Sequence, residues 1–397
     1  MSSDPVRVLH VSVVHRPDDQ RIFERECRSL AAHGHDVTYL VPGADVGERD
    51  GVTLLALPLR RRAERWRHAP AVVSTVRTLR PDVVHIHDPE LLTLLPAVKA
   101  LGGRFVYDMH EYLADAVRTR HYIPAPARPP LAVTADAVER ALAARADGVV
   151  AVFEDQYAGW SGGPTLRIAL PNYPRFSRFA DEPEAAVAGG DGRLRLVHIG
   201  TLAESRGVSL MLEVMRVVGD RAMLTLGGPF PDADYERRIR AEIDADLTGC
   251  VALLGRVPPA EVPRHLAAAD VVWSPWPADV YGQRRISTNK VFEGLAAGCA
   301  ALVSDLPGQG DVVRGERCGL VVPATVVGHA AGVLELAERR EITAAMGRRG
   351  RAAVRERYCW EAIEHRLLDF YARLLADTDP RSDAGPLPAS PPSPAAP

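Results

Sequence analysis

The chain has 397 residues, of which 47% are hydrophobic and 25% charged, and its formal net charge is -3. This length exceeds what one hydrophobic core usually organises, so two domains of roughly 150 to 200 residues are expected. No apolar run approaches the ~18 residues of a membrane span, and the charge gives no overall attraction to nucleic acid. These numbers favour a folded two-domain protein that neither crosses a membrane nor binds nucleic acid.

The N-terminus and the cysteines predict where the protein works. The opening residues, MSSDPVRVLHVSVVH, enter a strand-like pattern almost at once, without the basic region, apolar core and cleavage site of an export signal. The five cysteines are odd in number and scattered, with no paired spacing for zinc or disulfides. We therefore expect reduced thiols and a cytoplasmic protein.

Short apolar, β-branched runs alternate with helix-like stretches along the whole chain. This alternation is typical of parallel sheets covered by helices, so the predicted fold class is α/β. In the first half the predicted strands are Val6–Val14, Asp36–Val41, Val83–His87, Phe105–Asp108, Gly148–Val152 and Arg167–Leu170. In the second half they are Leu194–Ile199, Ala222–Leu226, Val251–Leu254, Val271–Ser274, Ala300–Ser304 and Gly319–Val322.

Changes in composition mark the expected boundaries. Residues 177–192 contain DEPEAAVAGGDG, an acidic, Ala/Gly-rich stretch with no apolar face to bury, and are predicted to link a domain of residues 1–176 to one of residues 193–357. Apolar residues at helical spacing predict a final helix over residues 358–376. Residues 377–397 are dominated by Pro, Ala and Ser and are expected to be disordered.

Open parallel sheets bind ligands beyond the carboxyl ends of their strands, so candidate residues are sought directly after the predicted strands. The segment Gly200–Gly207 follows the strand Leu194–Ile199 and leads into a helix. Free N–H groups and the dipole at a helix N-terminus bind phosphate, and Arg206 would add a bidentate charged contact. The alternative is that Arg206 is a surface arginine at the end of a loop.

The segment ISTNKVFEGLAAG predicts a second helix start, which Ser287, Thr288 or Asn289 can cap. Lys290 and Glu293 are three residues apart and share one face, where Lys290 can meet a phosphate and Glu293 can accept hydrogen bonds from a sugar diol. The alternative makes Glu293 a capping-box acid. A box would place the acid one to three residues earlier, where no acidic residue stands.

In the first half, the loop HRPDDQRIFERE leaves the first strand without a glycine-rich dinucleotide fingerprint, which argues against an NAD-dependent dehydrogenase. The strand FVYDMHE brings Asp108, His110 and Glu111 to a strand end, where His110 could position or polarise a reacting hydroxyl. A structural histidine satisfied by backbone groups is the alternative.

Two further features each suggest a hypothesis. His85 and His87 are two apart on a strand and point to one face, as metal ligands do, but later strands supply no matching acids and no metal is expected. The basic stretch Arg60–His68, with Trp66 among its cations, could rest on an anionic membrane and bring the site to a lipid-linked acceptor. The alternative for this stretch is a solvated, charged loop or helix face.

Several of these segments together resemble one family. HRPDDQRIFERE with LAAHGHDV, HIHDPELL, YDMHE, LPNYP, and NKVFEGLAAGCAALVSDLPG with CGLVVP resemble the GT-B glycosyltransferases of family 4, also called group 1. The resemblance implies two Rossmann-like domains facing across a cleft and a last helix that returns to the first. It also implies transfer of a sugar, with retention, from a nucleotide-diphosphate sugar, UDP or GDP, to an acceptor hydroxyl. No cofactor is required.

Position after a strand and this resemblance select three sets of candidate residues. The catalytic set is His110, Arg206 and Lys290. The donor-binding set is Gly200, Thr201, Gly207, Gly228, Arg256, Val257, Arg285, Ser287, Thr288, Asn289 and Glu293. The acceptor-side set is His15, Asp18, Asp19, Arg21, Asp88 and Glu111.

The sequence departs from the family pattern at two of these positions. Thr201 stands where family members commonly have arginine, and Arg285 stands where they often have a second acid that grips the donor sugar. Arg284 or Arg285 could replace the missing cation. The departures leave the donor sugar open and keep two alternatives in view, a sugar-nucleotide epimerase of the same fold and a non-catalytic nucleotide-sugar binder.

Overall fold

The computed structural model describes residues 5–119, 123–160, 162–164, 166–180, 192–278 and 289–376. The chain forms two compact units. The first contains the described residues up to 171 together with 363–376, and the second contains the described residues from 172 to 362. No described helix combines the length and the apolar content that a bilayer crossing requires.

The first unit is built on one sheet, which has eight strands among the described residues. These are β1 (Arg7–Val11), β2 (Asp36–Pro42), β3 (Gly47–Arg49), β4 (Val52–Leu57), β5 (Val83–Ile86), β6 (Arg104–Met109), β7 (Gly148–Ala151) and β8 (Leu166–Ala169). Their order is β3-β4-β2-β1-β5-β6-β7-β8, and all neighbours are parallel except β3 and β4. Strand order therefore reverses between β1 and β5.

The central strands of this sheet are buried along their whole length, as expected for a parallel sheet with helices on both faces. The helices are Arg28–Ala32, Ala69–Leu79, Leu95–Ala100, Leu113–Thr119, Arg128–Ala143, Asp155–Ala158 and the final Trp360–Ala376. A π-helical segment, Ile22–Cys27, precedes the first of them, and 3-10 turns cover Arg62–His68, Pro89–Leu94 and Ala125–Ala127.

Strands β3 and β4 were not predicted from the sequence. They form an antiparallel hairpin whose turn residues, Asp50 and Gly51, both have positive φ, at 52° and 77°. Asp-Gly is a preferred pair for such a turn, and β4 is a mostly apolar run that places buried residues at alternate positions of its first half. The local signal for this hairpin was therefore present in the sequence.

The second unit has a six-stranded, all-parallel sheet among its described residues. Its strands are β9 (Leu194–Ile199), β10 (Ala222–Gly227), β11 (Val251–Gly255), β12 (Val271–Ser274), β13 (Ala300–Ser304) and β14 (Gly319–Val322), in the order β11-β10-β9-β12-β13-β14. Strand order reverses between β9 and β12. The predicted class, α/β with two parallel-sheet domains, is confirmed.

Helices cover this second sheet. They are Val208–Val218, Ala233–Asp246, Val262–Ala267, Asn289–Ala296, Gln309–Glu316, Val326–Glu338 and Arg340–Arg357, with 3-10 turns at Phe176–Phe179, Glu204–Arg206 and Gly219–Arg221. The turn Phe176–Phe179 overlaps the stretch predicted as a linker. It is packed structure, because Phe179 is fully buried in the core of this unit.

The final helix packs closely on the first sheet. From Ile363 onward it belongs to the first unit, and its residues Leu367, Phe370 and Tyr371 are fully buried. At Gly148, at the start of β7, a Cβ atom would lie 2.5 Å from Cζ of Phe370. The absence of a side chain at this position is what lets the helix approach the sheet.

Replacing Gly148 with alanine is therefore expected to destabilise the protein by about 1–3 kcal/mol, the usual cost of forcing an extra carbon into a packed core. Urea unfolding of wild type and Gly148→Ala measures this cost. Gly159→Ala is the control, since a Cβ there meets nothing within 4 Å. Equal midpoints for the two variants would show that Phe370 moves aside at no cost.

Candidate functional site

In the first unit, the loops that follow β1 and β5 leave the sheet at the point where strand order reverses, the usual position of a ligand site in an open parallel sheet. The carboxylate of Asp88, just after β5, accepts hydrogen bonds from Ser12 Oγ at 2.8 Å and from Val13 N at 2.7 Å. Asp88 therefore joins the two loops.

A fully buried ion pair lies at the same strand ends. Arg21 donates from Nε and Nη2 to Asp108 at 2.8 and 2.9 Å, and from Nη1 to the carbonyl of Leu170 at 2.7 Å. Its Nε is also 3.1 Å from Oε1 of Glu26. Arg21, a member of the predicted acceptor-side set, is buried, and its side chain bonds to interior groups.

The two carboxyl groups beside Arg21 take different charge states. Burial opposes ionisation of Asp108, but Arg21 and then His110 hold its pKa well below the ordinary value. Burial, followed by the negative charge of Asp108, raises the pKa of Glu26 well above the ordinary value. The interior therefore holds one carboxylate against one guanidinium, with Glu26 protonated.

A chain of neutral histidines crosses the interior behind Asp108. His85 Nδ1 lies 2.8 Å from the hydroxyl of Tyr371, which is 3.5 Å from His10 Nε2. His10 Nδ1 lies 2.9 Å from His87 Nε2, and His87 Nδ1 is 3.3 Å from Asp108 Oδ2. Burial lowers the pKa of His87 to about 4 and holds the pKa values of His10 and His85 well below the ordinary value, so each ring carries one proton and the bonds can all run toward the carboxylate.

His110 and His15 face a cavity of about 560 Å³ in the first unit. His110 Nε2 lies 3.4 Å from Asp108 Oδ2, and its ring centroid is 4.6 Å from that of His15. His15 Nδ1 bonds to Asp19 at 2.8 Å, and although burial opposes it, this carboxylate raises the pKa of His15. The cavity therefore presents a histidine that favours its charged form.

The polar lining of the cavity contains three of the six predicted acceptor-side residues, which are His15, Asp88 and Glu111. It comprises His15, Arg62, Arg65, His87, Asp88, Glu90, His110, Glu111 and Glu139. Asp18 is outside this lining and pairs on the surface with Arg16 at 3.0 Å. Asp19 is also outside this lining and bonds to His15. Its Oδ1 accepts hydrogen bonds from the backbone N–H groups of Arg21 and Ile22 at 2.8 and 3.0 Å.

Glu139 is a cavity residue that the sequence analysis missed. It projects from the helix Arg128–Ala143, and its Oε1 accepts a hydrogen bond of 2.5 Å from the hydroxyl of Tyr107. Burial raises its pKa to about 7. No sequence signal marks it, because it is one of many charged residues on a surface helix.

Four buried side chains, Asp108 among them, are possible ligands for a metal ion. Glu26, His85, His87 and Asp108 offer ligand atoms that all lie within 4.8 Å of one another. Sequence reasoning sought further ligands after later strands and did not foresee that the fold brings Glu26 and Asp108 to the two histidines. Arg21 lies beside both carboxyl groups and already supplies the positive charge that a bound cation would bring to them.

In the second unit, three glycines hold the strand-end loops together. A Cβ on Gly228 would lie 1.8 Å from the carbonyl oxygen of Gly200, and one on Gly207 would lie 2.0 Å from that of Pro275. All three glycines have positive φ: 147° at Gly200, 78° at Gly207 and 141° at Gly228. Only glycine satisfies both conditions, so these loops approach backbone to backbone.

Lys290 reaches into this group of loops from the helix Asn289–Ala296. Its Nζ is 2.9 Å from His198 Nε2, and His198 Nδ1 is 2.8 Å from the carbonyl oxygen of Trp273. Because a carbonyl only accepts, Nδ1 carries the proton and Nε2 accepts from Lys290. A Cβ on Gly200 would be 3.0 Å from Nζ, so the amine lies directly against the backbone after β9.

Burial, followed by the charge of Arg206, lowers the pKa of Lys290 to about 7. The guanidinium of Arg206 lies 4.1 Å from the ring centroid of Trp276, and Lys290 Nζ lies 6.0 Å from the same ring. Both basic groups thus lie near one indole ring. Trp276 and His198 were both missing from the predicted site, although each is at or just after a strand end.

Glu293 is held by Arg178, whose Nη1 is 3.3 Å from Oε1 of Glu293. Arg178 Nη2 also donates to the carbonyl of Pro259 at 2.6 Å. Arg178 lies in the stretch predicted as a linker, which is why sequence reasoning missed it. The pair holds the Glu293 carboxylate in place while the side chain stays 14% exposed.

The other predicted donor residues divide into three groups. Val257 packs beside Gly227, where a Cβ would lie 2.8 Å from its Cγ2. Thr201 and Arg256 have exposed side chains, and Asn289 is the first residue of its helix. Arg285, Ser287 and Thr288 lie outside the residues that the structure describes.

Comparison with solved structures defines the class of fold. Sucrose-phosphate synthase from Thermosynechococcus elongatus superposes with a TM-score of 0.78 at 18% identity, covering 94% of this chain and 100% of that one. HepE of Anabaena, solved in complex with UDP, superposes with a TM-score of 0.71 at 15% identity, covering 93% and 100%. The protein has the GT-B fold of these structures.

Sequence comparison then defines the family. Residues 20–173 match the model of the glycosyl transferase 4-like domain, and residues 193–339 match that of the glycosyl transferases group 1. Together the two matches cover about three-quarters of the chain. The chain belongs to the group 1, or family 4, glycosyltransferases.

Two curated relatives show similarity over part of their length. A GDP-mannose-dependent alpha-(1-6)-phosphatidylinositol monomannoside mannosyltransferase of Mycobacterium tuberculosis is 31% identical over 157 residues, 39% of this chain. The amylovoran biosynthesis glycosyltransferase AmsK of Erwinia amylovora is 26% identical over 136 residues, 33% of this chain. The matched segments span 40% and 32% of these relatives.

Asp108→Asn removes the charge that balances Arg21 in the interior and is expected to cost about 3–5 kcal/mol of folding free energy, as when one partner of a buried ion pair is deleted. Urea unfolding at neutral pH measures the loss. Asp18→Asn, which breaks the exposed pair with Arg16, is the control and should cost less than about 1 kcal/mol. Similar losses in both variants would contradict the structural role of the buried pair.

A second prediction concerns Lys290 and pH. Because the pKa of Lys290 is about 7 in the unliganded protein, a diphosphate beside it would raise that pKa and binding would take up a proton. Affinity for a nucleoside diphosphate should fall as pH rises from about 7.5 to about 9, by up to about tenfold per unit. Below about pH 7 the amine is already charged and contributes no slope.

Isothermal titration of UDP and of GDP across this range measures the slope. Lys290→Arg is the matched control, because a guanidinium stays charged at all these pH values and should flatten the dependence. A wild-type curve as flat as that of the arginine variant would show that the ligand does not sense this amine.

Proposed function

We propose that this protein transfers a glycosyl group from a nucleoside-diphosphate sugar to an acceptor hydroxyl with retention of anomeric configuration. The observation that carries the proposal is the position of Lys290, whose Nζ lies against the backbone of Gly200, with Arg206 over the ring of Trp276. This arrangement places two cations and several close loop backbones at the reversal point of a parallel sheet, where a diphosphate is well accommodated.

The two cations would act mainly on the leaving diphosphate. Charge grows on this group as the glycosyl bond breaks, and preorganised positive groups in a partly buried site stabilise such charge strongly. His198 contributes by holding Lys290 through Nε2, which keeps the amine directed at the loop after β9. The protein's role in this mechanism is therefore electrostatic.

Glu293 would bind the donor ribose. Its carboxylate is held by Arg178 and stays partly exposed, so it can accept hydrogen bonds from two neighbouring hydroxyls. Val257, which packs on Gly227, would lie near the base. We take UDP or GDP as the nucleotide, since the mycobacterial relative is named as GDP-mannose-dependent and HepE was solved with UDP.

Retention would follow from front-side attack, in which the leaving phosphate itself accepts the proton of the acceptor hydroxyl. Glu293 is the acid three residues after Lys290. Its ion pair with Arg178 supports a role in binding the donor rather than in nucleophilic attack on the sugar. The acceptor would enter the cavity of the first unit, where His110 is held beside Asp108 and can position its hydroxyl.

The basic stretch Arg60–His68 would bring the protein to an anionic membrane from the cytoplasmic side. Trp66 is 70% exposed there and Leu59 is 82% exposed, and both stand among arginines. Exposed apolar side chains with surrounding cations favour the interface of an anionic bilayer. The mycobacterial relative is named for a phosphatidylinositol monomannoside, which is consistent with a lipid acceptor here.

Arg206→Ala and Lys290→Ala are each expected to lose about 2–4 kcal/mol of transition-state stabilisation, or about 30- to 1000-fold in kcat/KM, as in other removals of a single stabilising donor. The assay is release of nucleoside diphosphate from the donor that a thermal-shift screen of UDP and GDP sugars identifies. Arg237→Ala, which removes one charge from the surface of the same unit, is the control.

Product analysis separates this proposal from its alternatives. NMR of the glycosidic product should show the anomeric configuration of the donor. Conversion of the donor in the absence of any acceptor would instead identify an epimerase. Tight donor binding with no turnover on any acceptor would identify a non-catalytic binder.

A further inference from the structure

Among the buried nitrogen atoms of the first unit that have no hydrogen-bond partner in the described residues, three lie close together in the sequence. They are Nε of Arg60, Nε of Arg65 and Nε2 of His68. Arg65 and His68 belong to the 3-10 turn Arg62–His68, and Arg60 stands two residues before it. Three nitrogens without a hydrogen-bond partner in the described residues therefore lie within nine residues of the sequence.

Their chemistry is of one kind. The two guanidinium nitrogens can only donate, and an imidazole Nε2 donates when it carries the ring proton. A buried donor without an acceptor costs folding free energy, so native proteins pair almost all of them with protein, water or an ion. An acceptor would satisfy these nitrogens, and the guanidinium groups of Arg60 and Arg65 favour a negatively charged one.

His68 is the centre of this cluster. It is 1% exposed, and burial followed by the charges of Arg60 and Arg65 lowers its pKa. The same two charges would be balanced by an anion bound beside them. His68 could then take up a proton and donate from Nε2.

The cluster adjoins the cavity that faces His110. Arg62 and Arg65 both line that cavity. The acid nearest to Arg65 is Glu90, another lining residue, and 3.9 Å separates its Oε1 from Arg65 Nη1, too far for a hydrogen bond. Glu64, the acid within the turn, pairs instead with Arg67 at 3.3 Å. Arg65 is therefore only loosely paired with Glu90, and its Nε remains without an acceptor among the described residues.

We propose that Arg60, Arg65 and His68 form a phosphate-binding subsite at the wall of this cavity. This inference rests on the proposed glycosyl transfer. If the acceptor enters this cavity, it carries a phosphate group close to the hydroxyl that receives the sugar. A phospholipid headgroup and a free sugar phosphate share this chemistry. The oxygens of either would accept from the three nitrogens.

Binding of inorganic phosphate tests the subsite directly. The titration is run on the full chain with UDP or GDP present at saturation, so that the diphosphate site of the second unit is filled. We expect one saturable site, with a shift of the His68 side-chain resonance in ¹⁵N-histidine NMR spectra. No saturable binding and no shift would overturn the proposal.

Matched variants distinguish a built site from diffuse charge. Arg65→Gln and His68→Phe should each weaken phosphate binding by about tenfold or more, the typical effect of losing a charge-assisted hydrogen bond. Arg67→Gln, with the same charge change on the same turn, should stay within about twofold because Arg67 is exposed and paired with Glu64. Equal losses for Arg65→Gln and Arg67→Gln would overturn the proposal.

Stability provides a second readout. Because His68 Nε2 has no partner in the described residues, His68→Phe should leave the urea midpoint of the phosphate-free protein unchanged or raise it. A large loss would show that His68 has a structural role instead. Arg60→Gln and Arg65→Gln then decide whether the subsite exists.

Vesicles identify the source of the phosphate. If a lipid headgroup is the ligand, phosphatidylcholine vesicles with phosphatidic acid should bind wild type, and they should bind Arg65→Gln more weakly than Arg67→Gln. Phosphate binding without this difference assigns the subsite to a free phosphorylated sugar. UDP or GDP binding is measured in the same samples, so failure of the donor site is seen separately from failure of this subsite.

Discussion

The feature on which both sites depend is the reversal of strand order in each parallel sheet. At β1 and β5, and again at β9 and β12, consecutive connections leave toward opposite faces, and the strand ends between them stay open. Polar side chains can stand there without breaking the sheet. In the first unit Asp88 joins the two loops, and in the second unit Gly200 and Gly228 bring backbones together.

Burial then decides which charges these strand ends carry. Asp108 stays ionised because Arg21 lies beside it, whereas Glu26, close to the same guanidinium, is protonated. In the second unit, burial lowers the pKa of Lys290 to about 7, and His198 stays neutral and accepts its hydrogen bond. A ligand that brings negative charge would restore the full charge of Lys290.

Most of the fold was predictable because parallel strands are continuous apolar runs that stand out against helical spacing. All twelve predicted strands are present, and the hairpin of β3 and β4 was missed although its Asp-Gly turn was a local signal. A residue that lines the cavity of the first unit could be located from the sequence where it directly follows a strand, as His110 does. Glu139 and Arg178 could not, because a helix and a presumed linker carry them to partners far away in sequence.

The sequence by itself determined the α/β class, the two-domain division and the placement of Lys290 and Glu293 on one helix face, since periodicity and spacing are local properties. Tertiary structure alone decided what these residues meet. It committed Arg21 to Asp108 in the interior and set Lys290 against His198. Such pairings depend on which strand ends become neighbours, and hydrogen bonding and desolvation act only after the sheet has brought them together.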